Sequence, residues 1–381
     1  MIYLDHAAAT PVSEKVLQAM TPYLTEQFFN PSAAYLPAKR VREDFEVAKG
    51  KIANFIGTKG SDLIITSGAT EANALAFTAV SKMGKILVLS TEHSSVLENV
   101  KNYNYEFIKV DKTGFIDLAD LKQKLTDDVE LVSISLANNE LGTIQPLTEI
   151  AELLRAAKRS RLERGITTQL LLHSDASQGL ALLDLNVARL GVDLLTLNAA
   201  KVGGPKGVGA LYIGHSVRLQ PYILGGGQER GLRAGTENVA GTVGFAAALE
   251  AVKGKSPSLR KKYTRLVENL KAELETAAVS PIFLGNKKHQ LANFLPVCFP
   301  GLDAERLIYK LEDQGVLVST GAACAASKNE PSHVLKAIGL SSAEIAGSLR
   351  LSLGVLNDEA NIKAAGKIIK QAVKDEYERT K

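Results

Sequence analysis

At 381 residues, 45% apolar and 23% charged, the chain is long enough to bury large cores, and domain-size statistics favour two domains of a soluble globular protein. A net charge of +4 with no block of like charges excludes an extended nucleic-acid surface; no apolar run approaches a membrane span, and Met1-Ile2-Tyr3-Leu4-Asp5 lacks the layout of a signal peptide, so a cytoplasmic protein is expected. Two cysteines, Cys298 and Cys324, and six scattered histidines offer neither a disulfide framework nor a metal-ligand spacing, so no metal is expected.

In chain order, a helix over 13–25 is expected with Ser13 as its cap. A stronger one follows over 38–56, where Val41, Phe45, Ala48, Ile52 and Phe55 recur at helical spacing and Gly57 closes the pattern. Asn30-Pro31-Ser32 between them reads as a loop. The β-branched run 63–65 is a strand. It leads through Thr66-Ser67-Gly68-Ala69-Thr70-Glu71 into an apolar helix, a layout that makes an anion site from the helix N–H groups, with Gly68 and Ala69 allowing close approach and Thr70 adding a hydroxyl. The plainer alternative is a helix cap by Ser67.

The strand 85–90 ends in Thr91-Glu92-His93, where a histidine suits stacking on a flat cofactor and moving protons, or equally a polar cap. The strand 130–137 ends in Asn138-Asn139, neutral donors to a phenolate or carboxylate, and Pro146 opens a helix to 158. Two short apolar runs, 170–173 and 192–197, then deliver Asp175 and Lys201 to one rim of a sheet. A lysine fenced by Gly203, Gly204 and Pro205 suits an amine that must meet one carbonyl carbon, and a carboxylate on the neighbouring strand is what the ring nitrogen of pyridoxal phosphate (PLP) requires. Read singly, each residue fits the plainer reading better, an ordinary lysine ending a strand and an aspartate capping a turn; it is the company of the other motifs that reverses the balance. The alternation of strands and helices over 60–215 predicts an α/β fold with a mostly parallel sheet and helices on both faces.

Beyond the strand 208–213, the glycine-rich stretch 224–236 carries Arg230, Arg233 and Thr236 and suits a loop near an anion. Helical pattern runs over 239–277, including a long stretch from Ser258 placed to link two domains. The remainder reads as α+β, with strands 293–299, 316–318 and 349–353 and helices 304–311 and 359–376. The expected division is a large domain over 13–250 and a small one formed by 1–12 with 251–381. Residues 319–331 are nearly all small, so Cys324 is expected on a loosely packed loop with its thiol chemically available, whereas Cys298 inside an apolar strand is core filler.

Taken together, these stretches resemble the cysteine desulfurases, a branch of the class-V aminotransferase-like, fold-type I PLP enzymes. The resemblance runs along essentially the whole chain: Tyr3-Leu4-Asp5 with Thr10-Pro11, Asn30-Pro31-Ser32, Thr66 to Glu71, Thr91-Glu92-His93, Asn138 to Gly142, Asp175 to Gln178, Lys201 with Gly204 to Gly207, Gly225 to Thr236, the Cys324 loop with Glu330-Pro331-Ser332, and Leu349 to Gly354. It implies Lys201 as the Schiff-base lysine and proton shuttle, Asp175 as the partner of the pyridine nitrogen, Gln178 and Asn139 beside the ring oxygen, and His93 as the stacking acid–base residue. It also implies Ala69 and Thr70 at the phosphate, Thr236 reaching the phosphate of the other subunit in a homodimer, Asn139 and Arg350 at the substrate carboxylate, and Cys324 as sulfur acceptor on a loop like that of the long-loop group. The family's Ser-Gly/Ala-His before the lysine is here Asn198-Ala199-Ala200, and Tyr35 and Ala38 replace a His and a Gly. Asn198 stays in the cofactor set as an amide donor.

The activity so implied is removal of sulfur from L-cysteine to give L-alanine and a persulfide on Cys324, for transfer to an acceptor such as an iron–sulfur scaffold protein. The alternatives are a selenocysteine lyase or aminotransferase on the same fold, and a cofactor-poor scaffold paralogue, to which Asn198 and Ala200 point.

Overall fold

The computed structural model describes residues 1–321 and 331–381. Its strands are β1 (Ile2–Tyr3), β2 (Leu63–Thr66), β3 (Lys85–Leu89), β4 (Asn104–Ile108), β5 (Val129–Ser133) and β6 (Leu171–Asp175). They continue as β7 (Leu194–Asn198), β8 (Gly209–Ile213), β9 (Ile282–Phe283), β10 (Phe294–Cys298), β11 (Val316–Leu317) and β12 (Ser348–Ser352). A seven-stranded sheet has the order β2-β8-β7-β6-β5-β3-β4, and only β8 runs against its neighbours. β2, β3, β5, β6 and β7 therefore all finish on one rim.

Both faces of this sheet are buried, which is why its strands read as continuous apolar runs. Along β3, Leu87 and Leu89 enter one core with Phe45, Ile52 and Leu197, while Ile86 and Val88 enter another with Leu75, Phe77 and Leu194. A third core, with Leu266, Phe294, Leu307, Leu351 and Ile369, gathers the antiparallel sheet β12-β10-β9 and the helices Ser256–Leu274 and Glu359–Thr380. Leu4 and Ala7 also belong to it, because β1 pairs with β11.

Departures from the sequence reading have local causes. The helix expected over 13–25 is two, Glu14–Met20 and Pro22–Thr25, since Pro22 lacks the N–H that would continue the ladder. Ser13 does cap the first, accepting from the Val16 N–H. The helical stretch 239–277 is divided into Val239–Val252 and Ser256–Leu274, with Gly254 between them at a φ of 72°. The second helix packs into the third core.

Candidate active site

β2 delivers its chain end to the rim, where the Thr66 hydroxyl donates to the Gly68 carbonyl at 2.9 Å and the helix Ala69–Phe77 begins. Gly68 sits at φ 154°, ψ −177°, a conformation open to glycine, and its absent Cβ leaves free space. Ser67 does not cap this helix: no side chain does. The first-turn N–H groups are thus left without a side-chain cap among the described residues, with Ala69 buried and Thr70 exposed. The turn lies tight on β8, since a Cβ on Gly209 would meet the Gly68 Cα at 2.8 Å and the Leu197 carbonyl oxygen at 2.7 Å. Glu71 accepts from the Ser67 N–H at 2.8 Å and from Arg233 Nε at 2.9 Å. Burial opposes its charge, but these bonds outweigh burial and hold its carboxyl below the usual range.

Asp175 ends β6 and pairs in register with Thr196 of β7, which carries on to Asn198 and a 3₁₀ turn, Ala199–Lys201. One Asp175 oxygen accepts from the Ser177 N–H at 2.9 Å and the other from Asn73 Nδ2 at 2.9 Å. Asn198 spends its Oδ1 on the Ala200 N–H, 3.3 Å away, so its Nδ2 is the end left to donate. Lys201 Nζ donates to the carbonyls of Ala7 at 2.8 Å and Ala8 at 2.6 Å, and Gln178 Nε2 donates to the same Ala7 carbonyl at 3.0 Å. The N-terminal segment is anchored there by Thr10, whose hydroxyl donates to the Ala200 carbonyl and accepts from the Gly203 N–H.

His93 caps the helix Ser94–Val100, its Nδ1 accepting from the Ser95 N–H at 3.0 Å with Ser95 Oγ at 2.8 Å. Burial pushes its pKa down; Asp175 opposes that, and the charges of Lys201, His333 and Arg350 reinforce it. Next to it, Glu92 is fully buried against Ser135, which offers both its N–H and its hydroxyl. Burial raises the Glu92 carboxyl to about 8 against the lowering effect of the Ser135 bonds, and Asp175 adds to the rise.

Arg350, on β12, is 4% exposed. Its Nη2 lies 2.5 Å from Asp5 Oδ1, its Nη1 donates to the carbonyls of Asn139 at 3.0 Å and Gly321 at 2.8 Å, and its Nε is buried without a partner among the described residues. The guanidinium is held by Asp5 at one edge and has donor capacity at another. Glu140, buried beside it, accepts from Ser332 at 2.6 Å, and burial raises its pKa.

The structure thus gathers Ala69, Thr70, His93, Asp175, Gln178, Asn198 and Lys201 around one rim, and Arg350 acts on it across the Asn139 turn. Thr236 is exposed and bonds to none of them. Cys324 and Glu330 lie outside the described residues, and Cys298 is buried with its thiol donating to the Glu344 carbonyl at 3.1 Å. Asn138, read as a donor, instead ties its own turn: Oδ1 accepts from the Glu140 and Leu141 N–H groups and Nδ2 donates to Thr91. Sequence reading missed Asn73, Glu92 and the Asp5–Arg350 pair. An asparagine inside the apolar run 72–77 was the available signal for the first. Among the described residues, no group of His, Cys, Asp or Glu is placed to hold a metal.

The donor set fits PLP: an uncapped helix N-terminus with open space at Gly68 for a phosphate, a carboxylate fixed by two donors for a ring nitrogen, and an amine on the turn that follows the adjacent strand. The class-V aminotransferase family model matches residues 2–365. The chain belongs to this family. Within it, the chain is 40% identical over 378 residues to cysteine desulfurase IscS 1 of Archaeoglobus fulgidus, spanning 95% of this chain and 94% of that one. Its fold is that of the fold-type I enzymes. A solved NifS-like protein superposes with a TM-score of 0.89 at 31% identity, covering 98% of this chain and 99% of the other. A structure described as SspA in complex with cysteine superposes with a TM-score of 0.78 at 32% identity, covering 93% and 99%.

Proposed function

We propose that this class-V family member is a PLP-dependent L-cysteine desulfurase, with Cys324 as the residue that receives sulfur. The observation that carries the reading is that Asp175 and Lys201 follow neighbouring strand ends and that both, together with Arg350, act electrostatically on His93, in a chain aligned almost end to end with a named cysteine desulfurase. The relative solved with cysteine supports that amino acid as substrate. When bound, PLP supplies an electron sink for chemistry at the substrate Cα.

Each residue then has a task. The N–H groups of Ala69 and Thr70, the Thr70 hydroxyl and Asn198 Nδ2 hold the phosphate. Asp175, fixed by Asn73 and the Ser177 N–H, stays an acceptor for a ring N–H. Lys201, whose Nζ donates to the Ala7 and Ala8 carbonyls, is the amine that would hold the cofactor, and the same amine would take up and return the substrate Cα proton. Gln178 and Asn139 donate near the ring oxygen. Arg350 offers the substrate carboxylate a planar fork whose outer edge Asp5 fixes. The Cys324 thiolate attacks the substrate sulfur, the new S–S bond leaves a persulfide on Cys324, the electron pair of the broken Cβ–S bond stays with the carbon skeleton, and protons added at Cβ and returned to Cα complete alanine. A homodimer in which Thr236 reaches the other subunit's cofactor, a small domain formed by 1–12 with 251–381, and a cytoplasmic acceptor such as an iron–sulfur scaffold complete the proposal.

A visible spectrum and an alanine assay test it. The purified chain should show a cofactor band in the visible that changes on adding L-cysteine, with alanine released; Lys201→Ala should lose both the resting band and turnover. A chain that stays colourless with added PLP would reject the reading in favour of a scaffold role.

A further inference from the structure

Asn73 is wholly buried in the second turn of the helix Ala69–Phe77, and it spends both amide hydrogens on active-site groups. One goes to Asp175 Oδ2 and the other to Ser95 Oγ, each at 2.9 Å. Its Oδ1 is buried with no partner. The opposite amide orientation would set a carbonyl oxygen 2.9 Å from a carboxylate oxygen, so the network fixes the assignment. An unsatisfied buried acceptor is costly, and a side chain of no consequence here would be apolar.

The bonds continue to His93. Ser95 Oγ accepts from Asn73, which frees its own hydrogen to point at His93 Nδ1, 2.8 Å away, while the Ser95 backbone N–H donates to the same nitrogen. A nitrogen that accepts from a backbone N–H carries no hydrogen, so the neutral imidazole is protonated at Nε2. We infer that Asn73 is a positioning residue that couples Asp175 to His93, holding the first as an oriented carboxylate and aiming the Ser95 hydroxyl at Nδ1 of the second, where it reinforces the backbone N–H in keeping the Nε2–H tautomer. A proton arriving at Nδ1 would have to turn the Ser95 hydroxyl round, and that hydroxyl is held by Asn73. His93 therefore exchanges protons through Nε2 alone.

Its importance for the cofactor rests on the reading of Asp175 and His93 as PLP partners, but the tautomer can be measured without it. The full-length chain labelled with ¹⁵N-histidine is compared by NMR with Asn73→Ala, Asn73→Asp and Ser95→Ala, the His93 signals being identified by their loss in His93→Gln. Wild type should show His93 protonated at Nε2 with an accepting Nδ1. Asn73→Ala should move the Nδ1 shift, because the Ser95 hydroxyl is released and only the backbone N–H still donates there, and weaken PLP binding about tenfold, as for one lost hydrogen bond to a charged group. Asn73→Asp keeps the size but sets two carboxylates together, and should weaken PLP at least as much. Ser95→Ala, a small change that spares the fold if Asn73→Ala does not, should move the His93 shift while affecting PLP less. His93 signals that coincide in wild type, Asn73→Ala and Ser95→Ala, or a wild-type His93 protonated at Nδ1, would overturn the inference. Failure of the wild type to bind PLP would instead reject the proposed function and leave the tautomer result readable.

Discussion

Glu92 shows how a residue sequence reading passes over can carry a measurable charge effect. Its carboxyl has a folded-state pKa of about 8, raised by burial, so between its ordinary value of 4.5 and 8 the native chain keeps a proton that the unfolded chain releases. Stability therefore falls as pH rises through that window. Glu92→Gln copies the neutral acid: its Oε1 accepts from the Ser135 N–H and its amide donates to the Ser135 hydroxyl. Between pH 6 and 8.5 the wild type should lose about 2 kcal/mol more than Glu92→Gln in urea denaturation. Parallel pH profiles would show that Glu92 is ionised in the fold. The phosphate end yields a second test. Asn198→Ser with Ala200→His should tighten PLP in equilibrium titrations by roughly 1.5–3 kcal/mol, since Asn198 commits its Oδ1 to its own turn and Ala200 donates through its backbone alone. Affinity no tighter than wild type would mean that other contacts already satisfy the phosphate. Lys201, Asp175 and His93 were legible because each follows an apolar run. Asn73 and Asp5 act on partners 102 and 345 residues away, and no local pattern encodes which distant group a side chain will meet.

At the scale of elements, the buried strands could be read because both of their faces are covered and their residues are uniformly apolar. β4 escaped notice: it is the edge strand Asn-Tyr-Glu-Phe-Ile, with Tyr105 and Phe107 exposed, and only its pairing with β3 makes it a strand. The turn after β2 depends on Gly209 more than on its own residues, because a side chain there would collide with Gly68 and the Leu197 carbonyl. Gly209→Ala should destabilise the fold by about 1–3 kcal/mol and release PLP faster, since the shifted atoms carry the helix N-terminus. An unchanged melting temperature with unchanged PLP release would show that the turn adapts without cost.

Across the whole molecule, residues 3–10 tie the three-stranded and seven-stranded sheets to one site. Leu4 and Ala7 sit in the core of the smaller sheet, Thr10 bonds to the turn carrying Lys201, and Asp5 holds Arg350. Amine and guanidinium are thus set relative to each other by one short segment, whose importance its Asp-His-Ala-Ala-Ala sequence does not advertise. On the proposed function, this assembly moves one sulfur atom from cysteine to one of its two cysteines. Mass spectrometry of the PLP-loaded chain after brief exposure to L-cysteine, with no acceptor present, measures that transfer directly. The account predicts one added sulfur on Cys324, none on buried Cys298, one alanine per sulfur, and no addition in Cys324→Ser although cysteine still alters its spectrum. Added sulfur on Cys298, or full turnover of cysteine by Cys324→Ser, would contradict it.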